Sequence, residues 1–407
     1  MEILFLGGLF PKETEDEIVN NSIGSVQNAA NNLQWEFVKG LEENSCKSIT
    51  ILNSLYIGSY PVRYKMMNIK TYTFSRNLVN SKAINVGFLN LTGIKRVSRY
   101  ISLKPHVKNW IDSKKDKKKI IIAYAMTSTF TQILEYAKKL DNNIVTCLII
   151  PDLPQYMNLS AQKSYLYKFL KNIDIKIIKK NMKFVDSYVV LTKFMLDFLD
   201  KSKPYVVIEG ISSDIFSFGY KDLKYNEDNI KTVLYSGGLY EKYGVIDLIT
   251  SFEMLRNVNY RLIICGSGDA EDTIREACKR DRRIIFKGLL RRDEILDLQR
   301  NATVLINPRA NTEEYTKYSF PSKILEYMSS GTPVLAYMLD GIPSEYRDYI
   351  YAINENEENA IYNALKIVLE KKEDELYEKG NNAKEFVHHN KNRRVQCGKV
   401  ISMLKDL

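Results

Sequence analysis

Lys323 and Glu326 stand three residues apart in the stretch KYSFPSKILEYMSSGTPV, residues 317–334. Pro321 in front, with Gly331 and Pro333 behind, punctuates a short helix expected over 322–330. That spacing puts the two side chains on neighbouring positions of one helix face. Ser322 is expected to cap the helix. The first turn of a helix has unsatisfied N–H groups and a partial positive charge. A lysine there is repelled unless an anion arrives, and a phosphate would relieve it. A carboxylate one turn further can accept hydrogen bonds from sugar hydroxyls. A phosphate beside a vicinal diol is what a nucleotide offers. The plainer alternative is a surface Lys–Glu pair, worth about 0.2–0.5 kcal/mol. The apolar flanks Ile324, Leu325 and Met328 argue against full exposure.

Other strand ends carry small or charged residues. In CGSGDAE, residues 265–271, Gly266 and Gly268 permit either a tight turn or close approach of a ligand. A dinucleotide site would also need an acid at the end of the following strand. That strand, RIIFKG, ends in Lys287 and Gly288, so a dehydrogenase is disfavoured. In YSGGLYEKYG, residues 235–244, Gly237 and Gly238 leave room for a ligand, and Lys242 can meet a phosphate or simply lie in a surface turn. Asp152 in IIPDLPQYM ends another strand. It is read either as a carboxylate facing an acceptor or as a turn residue before Pro154. No pair of carboxylates stands out as a glycosidase pair.

Parallel strands must position these residues. Apolar, β-branched runs at 2–8, 48–54, 83–89, 119–125, 143–150, 187–192 and 204–210 alternate with helical patterns at 25–44, 130–140, 160–182 and 193–200. A polar stretch at 212–229 marks a domain boundary. The alternation then restarts, with strands at 231–238, 260–268, 283–288, 302–308 and 333–338, and closes on helices at 356–371, 373–387 and 392–406. The fold class is α/β: two Rossmann-like, doubly wound parallel-sheet domains facing a cleft, residues 1–212 and 213–391. The last helix, 392–407, is expected to return to the first domain. Open sheets of this kind bind ligands at the carboxyl ends of their strands.

Composition fits an ordinary globular protein: 407 residues, 45% hydrophobic and 27% charged. Five scattered cysteines, with no C-x-x-C pair, suggest a reducing compartment. Three histidines, with no Cys or carboxylate cluster at ligand spacing, argue against a zinc site, and no metal is expected. There is no signal-peptide pattern and no run near the ~20 apolar residues of a membrane span. Net charge is +10. Residues 61–119 are strongly basic, culminating in Lys114, Lys115, Lys117, Lys118 and Lys119, against only Asp112 and Asp116. The asymmetry suggests an anionic partner: a phosphorylated substrate, nucleic acid or an acidic membrane surface.

Taken in order, the motifs of residues 231–340 resemble the donor domain of retaining glycosyltransferases of family 4, which have the GT-B architecture. VLYSGGLYEKYGVIDLITSFEML resembles the family's glycine strand, basic turn and helix. LIICGSGDAE through VLINPR resembles its next strands, and FPSKILEYMSSGTPVLA its glutamate helix. GG at 7–8, SIGSVQNAANNL and IEGIS match more loosely. The resemblance implies a nucleoside-diphosphate-sugar donor and no cofactor. It implies that Glu326 binds the ribose, that Lys323, Lys242 and the amides near Ser322 hold the diphosphate, and that the backbone around Gly288 and Leu290 meets the base. The family's E-x7-E has its first glutamate where Tyr318 stands, leaving Glu313 or Glu314 for the sugar. Gly238 stands where the family often has arginine, which leaves the charge to Lys242, Lys323 and Arg309.

The expected activity is metal-independent transfer of a hexose to a hydroxyl, with Lys323, Lys242 and Asp152 as catalytic candidates. The expected acceptor is a lipid-linked saccharide in capsule, exopolysaccharide or O-antigen synthesis, met at the cytoplasmic face of an anionic membrane. The alternatives are a sugar-nucleotide epimerase of the same architecture and a nucleic-acid-binding protein using 61–119.

Overall fold

The computed structural model describes residues 1–24, 26–45, 49–75, 83–156, 165–212 and 229–407. The chain divides into two compact units, Met1–Ile211 with Arg393–Leu407, and Ser212–Asn392.

The first unit holds ten strands: β1 (Glu2–Gly7), β2 (Thr50–Asn53), β3 (Asn68–Ile69), β4 (Tyr72–Thr73), β5 (Ala83–Asn85), β6 (Phe88–Leu89), β7 (Lys119–Tyr124), β8 (Val145–Ile150), β9 (Ser187–Val190) and β10 (Tyr205–Val207). Eight form one sheet in the order β4-β5-β2-β1-β7-β8-β9-β10, while β3 and β6 pair separately. Every contact in the large sheet is parallel except β4 with β5. Chain order therefore reverses at β1, with Phe5 paired to Ile51 on one side and Ile122 on the other. All six residues of β7, and all six of β8, are buried, as continuous apolar strands covered on both faces must be. The last helix, Arg393–Lys405, adds Cys397, Val400, Ile401 and Leu404 to this core. It lies so close to helix Asn28–Ser45 that a Cβ on Gly40 would stand 2.6 Å from Cys397 Sγ.

The second unit is one parallel sheet of six strands: β11 (Lys231–Gly238), β12 (Tyr260–Ser267), β13 (Ile284–Gly288), β14 (Val304–Asn307), β15 (Val334–Tyr337) and β16 (Tyr351–Ile353), in the order β13-β12-β11-β14-β15-β16. This is the doubly wound order, with the reversal at β11. Its two cores lie on opposite faces of the sheet: Val233 and Tyr235 point into one, Leu234 into the other.

Several elements differ from the sequence reading. The run at 83–89 is two short strands, because Gly87 packs its backbone on Ile69 and Thr71. Residues 193–198 make a 3-10 helix. Edge strand β16 was too short to carry a pattern. The basic segment contains a helix, Lys95–Asp112, whose inward face is Leu103, Val107, Trp110 and Ile111.

Part of the basic charge of residues 61–119 is turned inward, on this helix and beside it. Lys95 donates to the Ile57 carbonyl, and burial pushes its pKa down to about 6. Arg99 donates to the Ser54 and Leu55 carbonyls and lies over the Phe88 ring. In the lysine cluster, Lys114 and Lys117 pair with Glu2, Lys118 donates to the Leu404 and Lys405 carbonyls, and Lys119 pairs with Asp141 at 3.0 Å. These charges bind the protein's own chain.

Candidate functional site

At the reversal point of the second sheet, β11 ends in Ser236, Gly237 and Gly238, and the helix Ser322–Ser329 stands against it. Tyr327 joins them. Its buried hydroxyl donates to the Ser236 carbonyl at 3.1 Å and accepts from the Ser236 N–H at 3.0 Å. Ile324, Leu325 and Met328 bury the inward face of the helix. One turn back from Tyr327, Lys323 runs across Gly237. A Cβ there would stand 2.3 Å from Lys323 Cε and 2.9 Å from its Nζ. Glycine is needed at 237 because the lysine occupies its side-chain space.

The sequence expectation of a serine cap is corrected. Pro321 holds the N-cap position, Ser322 is the first helical residue, and no side chain caps the helix. Ser322 is exposed, and the first-turn N–H groups are not taken by a cap. Lys323 forms no hydrogen bond or ion pair among the described residues; its ammonium lies 6.0 Å from the Tyr327 ring centroid. Desolvation lowers its pKa, partly opposed by the Glu326 carboxylate.

Glu326 is half-buried. Its Oε1 accepts from Gln299 Nε2 at 2.7 Å. Gln299, on helix Arg292–Asn301, is fully buried and also reaches Ser236 Oγ at 3.3 Å. Lys323 and Glu326 therefore do share one face, and neither is a simple surface pair.

Beyond Gly238, a 3-10 turn Glu241–Tyr243 carries the second group of cations. Lys242 is exposed and lies 5.6 Å from the Tyr243 ring centroid. Arg309, just past β14, is sandwiched between Tyr243 at 5.3 Å and Tyr315 at 4.9 Å, and its buried Nε has no hydrogen-bond partner among the described residues. Gly244 at φ 77°, packed on the Pro308 carbonyl, draws the turn and the end of β14 together. A Cβ on Gly238 would meet the Tyr240 ring at 3.0 Å and the Tyr243 ring at 3.3 Å. The diglycine thus lies between Lys323 on one side and the Lys242–Tyr243–Arg309 stack on the other.

The remaining expected residues are placed differently. Gly266 has φ 136°, and a Cβ there would stand 1.7 Å from the Gly237 carbonyl, so the sheet itself requires this glycine. Gly288 adopts φ 65° at the end of β13, and Leu290 packs on the neighbouring core. Glu313 and Glu314 are both exposed, and Glu314 pairs with Lys317 at 3.4 Å. Tyr318, at the position eight residues before Glu326, is buried. Sequence reasoning missed Gln299, Tyr327, Tyr243 and Tyr315. Tyr243 stood inside the quoted YEKY turn, but nothing in the pattern of helix Arg292–Asn301 marked Gln299.

Asp152 belongs to the first unit, past the end of β8. It is exposed at its surface, yet burial of its surroundings raises its carboxyl above the usual range. Nearby, Tyr56 donates to the Tyr124 carbonyl at 2.8 Å, and the buried Tyr124 hydroxyl has no partner among the described residues. Ala125 follows at φ 90°, a strained conformation for a residue with a Cβ. The glycine loop after β1 has its amides occupied: Gly8, Leu9 and Phe10 N–H donate to Gln34, Asn53 and Asn31 side chains at 2.7, 2.6 and 2.8 Å.

Residues 221–386 match the family described as Glycosyl transferases group 1. An uncharacterized glycosyltransferase of Methanocaldococcus jannaschii is 28% identical over 120 residues, a stretch covering 28% of this chain and 29% of that relative. Among solved structures, sucrose-phosphate synthase of Thermosynechococcus elongatus superposes with TM-score 0.65 at 15% identity over all of both chains. Anabaena HepE, solved in complex with UDP, gives TM-score 0.60 at 13% identity, again over all of both chains. The architecture, two Rossmann-like parallel-sheet units in one chain, is the GT-B fold. The matched segment contains Lys242, Arg309, Lys323 and Glu326. Among the described residues, no helix is long and apolar enough to cross a membrane.

Proposed function

We propose that the protein is a retaining glycosyltransferase that moves a hexose from a nucleoside-diphosphate sugar to an acceptor hydroxyl. The observation that carries this reading is the unpaired Lys323 ammonium lying over Gly237, beside the Glu326 carboxylate, at the carboxyl end of β11. A diphosphate on the diglycine meets Lys323 from one side and Lys242 and Arg309 from the other. Glu326 accepts from the ribose hydroxyls. As the sugar departs, charge grows on the diphosphate, and side-chain cations already in place stabilise it without needing a divalent ion. The leaving phosphate takes the proton of the incoming hydroxyl on the same face. The similarity to HepE, which was solved in complex with UDP, supports a nucleotide ligand.

The first unit is assigned the acceptor, with Asp152 as the acceptor-side carboxylate. A lipid-linked saccharide for capsule, exopolysaccharide or O-antigen, met from the cytoplasmic side of an anionic membrane, is the acceptor we favour. The supporting observation is on helix Lys95–Asp112, where Ile94, Val97 and Ile101 are exposed at one-turn spacing, flanked by Lys104 and Lys108. An apolar stripe with a basic border suits an anionic lipid surface.

The test is a panel of nucleotide sugars, screened by thermal shift and then by release of the nucleoside diphosphate with and without acceptor. Binding followed by acceptor-dependent release supports transfer. Conversion of the sugar with the nucleotide retained would identify an epimerase instead. No binding by any nucleotide sugar would overturn the proposal.

A further inference from the structure

We infer that Gln299 is a positioning residue that sets the Glu326 carboxylate for its ligand. The inference rests on the reading of Glu326 as the group that accepts from a nucleotide's ribose. Gln299 is fully buried, two residues before the end of its helix. Its carbonyl accepts from the Thr332 hydroxyl at 2.7 Å, which ties that helix to the chain just past helix Ser322–Ser329. Its side-chain amide donates to Glu326 Oε1 at 2.7 Å and reaches Ser236 Oγ at 3.3 Å, so both amide hydrogens are used. The amide oxygen is buried with no partner among the described residues.

That last point fixes the orientation. Turning the amide over would place its oxygen against the carboxylate, so the donor edge must face Glu326. A buried amide with an unsatisfied oxygen is costly by itself. Here the charged acceptor opposite the nitrogen offsets that cost. With Oε1 held, Glu326 presents Oε2 in one direction, away from Gln299. A carboxylate held through one oxygen loses little freedom when the other accepts from a diol. Ser236 and Tyr327 complete the arrangement, because the same amide and the same phenol meet at Ser236.

The experiment titrates UDP, GDP and ADP into the full-length wild type. The tightest binder is then compared with its 2′-deoxy form in wild type, Gln299→Leu, Gln299→Glu, Glu326→Ala and the Gln299→Leu/Glu326→Ala double variant. Wild type is expected to prefer the ribonucleotide about tenfold, the scale of one hydrogen bond to a charged group. Gln299→Leu should reduce that preference to within about twofold, weakening the ribonucleotide more than the 2′-deoxynucleotide, which keeps only its 3′-hydroxyl for Glu326, and should add nothing in the Glu326→Ala background. Gln299→Glu, which keeps the shape but sets two carboxylates together, should lose the preference too. A ribonucleotide preference intact in folded Gln299→Leu or Gln299→Glu, or an effect that simply adds to that of Glu326→Ala, overturns the inference and leaves the functional reading standing. If neither variant folds, Gln299→Asn, whose shorter amide withdraws from Glu326, gives the same decision. Absence of nucleotide binding in wild type overturns both.

Discussion

The side chain of Lys323 fills the space that any side chain on Gly237 would need, with Lys323 Cε 2.3 Å from the position of a Cβ. The two residues are far apart in sequence and belong to different elements, and each constrains the other. Gly237→Ala would meet only the far end of a flexible side chain, which can swing away. The melting temperature is therefore expected to stay near that of wild type while turnover falls, because the ammonium is displaced. Gly266→Ala is the contrast. It would force a Cβ onto the Gly237 carbonyl at φ 136°, costing about 1–3 kcal/mol from the conformation alone. A thermal melt of each variant, with turnover measured on the folded fraction, separates the two effects. A Gly237→Ala protein with full activity would remove the proposed role of Lys323.

Lys323 itself should matter more as the sugar leaves than in the ground state. Lys323→Ala is expected to lower kcat by more than it raises KM. Without ligand, the same variant should be as stable as wild type or slightly more so, since a desolvated charge is removed. Binding has a proton linkage. Burial holds the pKa of Lys323 below the ordinary 10.5, and a diphosphate alongside would raise it again. Nucleotide binding should then take up protons below the ordinary lysine pKa. Calorimetry in two buffers of different ionisation enthalpy measures the uptake, which should vanish in Lys323→Ala.

Lys95 gives a pH dependence of stability. Its pKa falls from 10.5 to about 6 on burial. Between those values the unfolded chain holds the proton and the folded one does not. Stability should rise with pH through that window, by at most ~1.4 kcal/mol per unit for this group. Lys95→Met keeps the apolar stem and removes the titration. Urea melts at about pH 7 and about pH 9 should show the difference between the two conditions shrink in the variant, with a gain of stability at the lower pH. An unchanged pH profile would place a charged lysine under this loop.

The lysine cluster and the apolar stripe should behave as different features. Replacing Lys119 with Met leaves Asp141 and the Lys114 and Lys115 carbonyls without their donor, a loss of about 1–3 kcal/mol. Val97→Asp and Ile101→Asp lie at exposed positions and should not change the melting temperature. They should abolish co-sedimentation with vesicles containing anionic lipid at low salt, where electrostatic attraction is strongest. Retention of vesicle binding by both aspartate variants would remove helix Lys95–Asp112 from the membrane reading.

The sequence by itself determined what depends on local pattern. Continuous apolar runs such as KIIIAY and VTCLII read as buried parallel strands because strands covered on both faces have no polar side to show. Short, ordered motifs around β11, β12 and the Lys323 helix identified the second unit, because strand, glycine turn and helix follow one another within a few residues. What depends on long-range contact was not legible. A charge run looks the same whether it faces solvent or the chain's own carbonyls, so the inward turn of Lys95, Arg99, Lys118 and Lys119 needed the tertiary structure. The serine cap failed because Pro321, one residue earlier, already takes the extended cap conformation. Gln299 carried no signal of its own. Its role exists only because the packing of the helices sets one buried amide within 2.7 Å of Glu326, and a hydrogen bond across 27 residues leaves no periodicity to read.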